Sequence, residues 1–348
     1  MQNDNRHEFL RDRARACLLA GAMGDALGAA VEFDSWSEIQ RKYGPAGIQQ
    51  YDVAYGVRGA ITDDTQMTLF SAEGLIRAWV RQQLKGVCYP PGVVAYAYQR
   101  WLLTQGEEPH KFAMEAPGWL IGERGLHQRR APGNTCLAGL REWKSTRHAA
   151  TNNSKGCGTV MRSAPFGFYP AVEEVAGKSS DLTHGHVEAR TSAIALAQIV
   201  QELVYEESTI LAAVEATLRL IDAETLTAKA LVRACELSAS DASALDAITE
   251  LGEGWVAEEA LAVAVFCALR AQDDLIAGLR MAVNHSGDSD STGSICGNII
   301  GAAFGMAVLP ETWLRDLELR DVIDQVAQDL VDVKFGSADD FWKRYPGG

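Results

Sequence analysis

The chain has 348 residues and a formal net charge of −14, and it is 47% hydrophobic and 22% charged. That balance supports a large folded core, and the acidic surplus argues against nonspecific binding to nucleic acid or anionic membrane, both of which need basic surfaces. No apolar run reaches the ~18 residues of a membrane span, and seven scattered cysteines, odd in number and never spaced C-x-x-C, predict reduced thiols in a cytoplasmic protein.

The opening "MQNDNRHEFLRDR" is polar and lacks the apolar core of a signal peptide. It reads as an N-terminal segment over 1–13, ahead of one domain over 14–348. Residues 8–30 run amphipathic and then Ala/Gly-rich, predicting a helix. Within it, "AGAMGDALGAAVEF" aligns Gly21, Gly24 and Gly28 on one face and places Asp25 and Glu32 seven apart, aligned with each other. These acids either face a buried centre or serve as a cap and an exposed helix end.

A second helix is predicted over 63–84. At its start, "ITDDTQM" (61–67) offers two adjacent carboxylates and a threonine hydroxyl, a hard oxygen set suited to Mg2+. An acidic first turn complementing the helix macrodipole explains the same residues. Asp63 followed by Gln66 resembles a capping box, and a polyprenyl-diphosphate D-D-x-x-D motif fails at Met67. Pro and Gly cluster at 86–92, 106–109 and 131–134, where they break helices rather than domains.

"SKGCGTVMRSAP" (154–165) is a Gly-flanked turn whose amides suit a diphosphate, or simply a tight turn. "THGH" (183–186) lacks the preceding apolar strand of a zinc amidohydrolase. Further helices are predicted over 186–205, 208–220, 224–238, 241–252, 256–270, 272–284 and 319–333. Alternating β-branched strands are nearly absent, so the expected fold is all-α: a single compact multi-helix domain.

"NHSGDSDSTGSICGNIIGAAFG" (284–305) begins like an EF-hand loop, but its twelfth position is Ile299 where Glu is needed. Asp288 and Asp290 remain, with Ser291 and Thr292 as neutral ligands, or else as a solvated turn. Glycines then recur at 293, 297, 301 and 305. Each costs about 1 kcal/mol relative to Ala in a helix interior, so close approach of another helix is expected, in a groove bordered by Ile299, Ile300, Phe304 and Met306. Brought together, Asp63, Asp64, Asp288 and Asp290 would repel, and two divalent cations would neutralise them.

In this order, GAMGDALGAAVEF, TDDTQM, GCGTVMRSAP, THGH and GDSDSTGSICGNIIGA resemble the ADP-ribosylglycohydrolase family over residues 20 to 305. The resemblance implies an all-α fold with a binuclear Mg2+ centre, in which Mn2+ can substitute. It implies hydrolysis of the bond joining mono-ADP-ribose to a protein side chain, often arginine. The implied metal ligands are Thr62, Asp63, Asp64, Asp288, Asp290 and Ser291. Glu32 and Asp290 take the implied catalytic roles, and substrate contacts fall on Gly156, Gly158, Thr159, Val160 and His184. Cys157 departs from the Asn many relatives carry in G-N-G, and Val160 stands where some carry an aromatic. Two other readings are an immunity protein that neutralises an ADP-ribosylating toxin, a cognate ADP-ribosyltransferase, by hydrolysis or by blocking it, the blocking through segment 1–13, and a metal-dependent nucleotide phosphohydrolase. ADP-ribosylated protein is the expected partner, with no nucleic acid and no membrane.

Overall fold

In this computed structural model, which describes residues 2–347, α1 (Gln2–Gly28) is followed by α2 (Trp36–Tyr43) and a hairpin of β1 (Val53–Ala54) and β2 (Val57–Arg58). The chain continues through α3 (Asp63–Lys85), α4 (Pro90–Thr104), α5 (Asn134–Glu142), α6 (Val172–Ser180), α7 (Val187–Tyr205) and α8 (Ile210–Leu218). Then come α9 (Leu226–Ser238), α10 (Ala244–Leu251), α11 (Ala257–Ala271), α12 (Leu275–Val283) and α13 (Ser289–Phe304). Finally α14 (Glu311–Asp316), α15 (Arg320–Asp332) and α16 (Ala338–Trp342) complete an all-α domain.

Three of these helices carry long stretches buried on all sides: Ala16–Gly28 of α1, Asp63–Ala78 of α3 and Ser289–Ala302 of α13. A helix without a solvated face lies at the centre of its domain. The most extensive helix–helix contact joins α1 to α13, while α4 packs on α3, α9 on α11 and α15 on α1. The α3–α4 contact carries a buried ion triad, in which Glu73 accepts from Arg77 Nε and Arg100 Nε, both at 3.1 Å.

The glycines explain the α1–α13 contact. A Cβ on Gly297 would lie 2.0 Å from the Ala20 carbonyl oxygen, and one on Gly301 would lie 2.2 Å from that of Ala16. The facing glycines are equally constrained: a Cβ on Gly24 would meet Gly293 O at 2.0 Å, and one on Gly28 would meet Ser289 O at 2.4 Å. The two backbones therefore touch, and the stripe expected from spacing is a helix–helix seam. Gly305 is not part of it; with φ of +77° it caps α13, and Met306 falls in the turn beyond.

The structure changes several local expectations. The cap of α3 is Thr62, whose hydroxyl accepts from Asp64 N, rather than an Asp63–Gln66 box. Gln66 is drawn away by tertiary partners, accepting from Trp101 Nε1 and Gln105 Nε2. Pro90 and Pro91 open α4 instead of merely breaking a helix, because their missing N–H groups cost nothing in a first turn. The "SDSTG" run is itself the first turn of α13, with Asp288 at the N-cap position. Beyond Met1, which lies outside the described residues, the polar segment 1–13 belongs to α1. There Arg6 pairs with Glu207 at 3.0 Å and His7 with Asp332 at 2.7 Å.

Gly297→Ala is expected to destabilise the fold by about 1–3 kcal/mol, the usual cost of overpacking, despite the better helix propensity of Ala. Gly122→Ala, where a Cβ meets nothing within 4 Å, should stay within about 0.5 kcal/mol of the parent. Urea unfolding of both variants checks this, and equal stabilities would remove the argument for the seam.

Candidate metal centre

Three chain segments meet at one cavity of about 440 Å³: the turn after α1, the start of α3 and the start of α13. The α1–α13 seam sets two of them side by side. The third is held by Asp25, one turn inside α1 and fully buried. Its carboxylate accepts from Thr62 N at 3.0 Å, Thr62 Oγ1 at 2.8 Å, Thr65 N at 3.1 Å and the Thr65 hydroxyl. Asp25 thus fastens the first turn of α3 to α1 without lining the cavity. Burial and the nearby Asp290 raise its pKa to about 7 in spite of these donors.

Glu32, Asp63, Asp64, Asp288, Asp290 and Ser291 all line the cavity. Carboxylate oxygens of Glu32, Asp288 and Asp290 lie within 4.8 Å of one another. Glu32 sits in the turn beyond the end of α1, so its approach to this centre comes from the chain turning over, not from a continued helical face. Asp63 Oδ2 accepts from Gly133 N at 3.3 Å, while Glu32 Oε2 and Asp64 Oδ1 are buried with no hydrogen-bond partner. The macrodipole explanation and the metal explanation hold together here, since Asp63, Asp64 and Asp290 occupy first turns of their helices and also face the cavity.

The electrostatics are one-sided. Burial first, then the charges of Asp290, Asp288 and Asp63, push Glu32 up to about 11. Burial and Asp290 likewise hold Asp63, Asp64 and Asp288 well above the usual carboxylate range. Among the described residues no lysine or arginine lines the cavity, and His184, which does, is lowered to about 3 by burial and by Arg162. A set of buried carboxylates, two with unpartnered oxygens and none with a basic neighbour in the wall, fits a hard divalent cation.

The other expected site residues divide. Gly156, Gly158 and His184 line the cavity. Thr62 lies behind it, its hydroxyl donated to Asp25. The side chains of Thr159 and Val160 do not reach it: the Thr159 hydroxyl donates to Ala189 O at 2.8 Å, and Val160 is fully buried in the core. What the turn Cys157–Thr159 offers is backbone, since the amides of Gly158 and Thr159 have no intrahelical acceptor. Thr292 is likewise turned away, to the carbonyls of Ala282 and Asp288.

Sequence reasoning missed further lining residues, Pro132, Asn134, Thr135 and Met161, and an aromatic pair in the same wall. Phe33 and Trp255 stack with ring centroids 6.1 Å apart and planes 16° from parallel. Trp255 reaches the site through an isolated antiparallel bridge, Gly156 to Val256, with Cys157 N donating to Trp255 O at 3.2 Å. That long-range pairing leaves no local pattern. A larger cavity of about 520 Å³, lined by Arg77, Arg81, Arg100, Tyr89 and Tyr96, lacks paired carboxylates.

Residues 6–339 match the family described as ADP-ribosylglycohydrolase. The chain belongs to that family. It is 30% identical to an uncharacterised protein of Archaeoglobus fulgidus over 93% of this chain and 97% of the relative. It is 24% identical to the ADP-ribosyl-[dinitrogen reductase] glycohydrolase of Rhodospirillum rubrum over 89% of this chain and 92% of that one. ADP-ribosylhydrolase ARH3 of Homo sapiens is 30% identical over only 24% of this chain and 26% of its own. The fold resembles a solved ADP-ribosylglycohydrolase-related protein complex with a TM-score of 0.65 at 24% identity, covering 94% and 99% of the two chains. The chain is therefore a hydrolase of a metal-dependent family that acts on ADP-ribosylated proteins. No helix among the described residues is long and apolar enough to cross a membrane.

Carboxylates whose folded pKa is raised stabilise the fold only while protonated. In chelator, stability is expected to be full below about pH 4 and to fall as pH rises through about 7, the value for Asp25. Excess Mg2+ should raise the Tm increasingly over the same interval, as cations replace protons. Thermal melts across this range check it; a pH-independent Tm in chelator, with no Mg2+ effect near neutrality, would contradict the electrostatic picture.

Proposed function

We propose that the protein removes mono-ADP-ribose from modified protein side chains, arginine first, in a Mg2+-dependent hydrolysis that reverses ADP-ribosylation in the cytoplasm. The observation that carries this is the convergence of Glu32, Asp63, Asp64, Asp288 and Asp290 on one cavity with no lysine or arginine among the described residues of its wall. Asp63, Asp64, Asp288, Asp290 and Ser291, which line the cavity, would hold two Mg2+ ions, for which Mn2+ can substitute, while Thr62 behind them keeps the first turn of α3 in place through Asp25. Bound there, the ions supply Lewis acidity and orientation to the ribose diol.

The protein's own groups do the rest. Glu32 faces the centre from the turn after α1 and takes the proton of the attacking water. It can do so only when its acidic neighbours are neutralised, because after burial their charges are what keep it protonated. Asp290 lies among these groups and stabilises the oxocarbenium-like charge that develops as the N-glycosidic bond breaks. The amides of Gly158 and Thr159, in the turn that follows Gly156, receive the diphosphate. Neutral His184 contacts substrate as a hydrogen-bonding ring rather than a cation. At the mouth, the flat faces of Phe33 and Trp255 suit a planar cationic guanidinium, which favours an arginine linkage over a neutral one.

The immunity-protein reading drew on segment 1–13 as a contact surface. Arg6 and His7 are engaged inside the chain, which favours catalysis over blocking. A nucleotide phosphohydrolase would share the metals but release phosphate.

Incubation with arginine-ADP-ribosylated protein and Mg2+ should release free ADP-ribose and no phosphate, with activity lost in chelator. Phosphate release, or full activity in chelator, would reject the proposal. Glu32→Gln preserves shape and removes charge, and should lower kcat by on the order of 10²–10⁴, the range for a general base, with little change in Mg2+ affinity. Mg2+ titration and steady-state kinetics on this variant check it; an unaltered kcat would remove Glu32 from the chemistry.

A further inference from the structure

Cys157 is the one residue of the glycine turn whose side chain touches the acidic centre. Its Sγ lies 2.7 Å from Asp288 Oδ2 and 3.7 Å from the Ser291 hydroxyl oxygen. Both neighbours belong to the proposed ligand set. Neighbouring donors on a single ion with bonds of ~2.1 Å lie about 3 Å apart, and the two sulfur–oxygen separations bracket that edge. The sulfur therefore occupies the position of a further donor. Ser291 Oγ also faces Met161 Sδ at 4.0 Å, so a second sulfur lies beside this part of the centre. The turn fixes the thiol there: Cys157 N is tied to Trp255 O, and the residue heads a helical turn. The unpartnered oxygens of Glu32 and Asp64 show independently that this cavity wall is built for a ligand not supplied by the chain.

We propose that Cys157 Sγ is a metal ligand, giving the ion on the Asp288 side a mixed oxygen–sulfur donor set that favours Co2+ and Zn2+ over Mg2+. The inference rests on the metal-centre reading above. Thiolate sulfur is a softer donor than carboxylate and shifts affinity towards later transition ions, while Mg2+ gains little from it. The sulfur binds as thiolate, its proton passing to solvent as the metal–sulfur bond forms.

Co2+ titration of the metal-free full-length protein tests this, with absorbance and calorimetry followed together. The expected result is a near-ultraviolet sulfur-to-Co2+ charge-transfer band that saturates with binding and is suppressed by a large excess of Mg2+. Cys157→Ser should lose the band, lose on the order of tenfold in Co2+ affinity, and keep its Mg2+ affinity within about threefold. Co2+ binding without the band would overturn the inference and leave the metal centre standing. A band that persists in Cys157→Ser and disappears in Cys136→Ser would overturn it too, assigning the sulfur to the other cysteine of the cavity wall. Calorimetry showing no binding of Co2+ or Mg2+ would overturn the metal-centre reading, and this inference with it.

Discussion

Charged carboxylates with oxygens within 4.8 Å of one another, as in Glu32, Asp288 and Asp290, repel by roughly 3.5 kcal/mol or more per pair at an effective dielectric constant near 20. Asp63 and Asp64 add to the same cavity, and the chain puts no lysine or arginine among the described residues of its wall. An isolated fold would relieve this by holding protons, which is the direction in which every one of these groups is shifted. A bound divalent cation would relieve it without protons, and Glu32 and its neighbours would then be available as charged groups. On the proposed function, stability and chemistry are tied to the same site.

Such repulsion would open a loosely packed site. Here it is resisted by backbone contact, since α1 and α13 approach until carbonyl oxygens stand where Cβ atoms would otherwise be. Asp25 extends that rigidity to α3 through its bonds to Thr62 and Thr65. The acids are therefore fixed by groups that lie outside the cavity, and a change at Gly297 would be felt at Asp290, two turns away on the same helix.

Much of this was legible in the sequence because it is local or periodic. Helices such as 226–238 and 320–332 announce themselves by apolar spacing, and the fourfold glycine repeat called for a partner backbone. The acidic pairs were visible as pairs. The partner of the repeat was not identifiable, although Gly21, Gly24 and Gly28 showed the complementary face. Contacts that depend on distant chain segments left no trace: Gln66 deserting its cap for Trp101, Trp255 arriving beside Gly156, and the 131–134 loop closing over Asp63. Thr159 and Val160 were legible only as members of a loop whose amides suit a diphosphate; that a helical turn sends their side chains into the core depends on packing the motif does not encode.

The central claim is that these carboxylates form a divalent-cation centre. Anomalous diffraction from crystals grown with Mn2+ tests it most directly, because it locates the ion without reference to activity. The account predicts anomalous density inside the cavity, among Glu32, Asp63, Asp64, Asp288 and Asp290. Mn2+-saturated crystals with no anomalous peak there would contradict it.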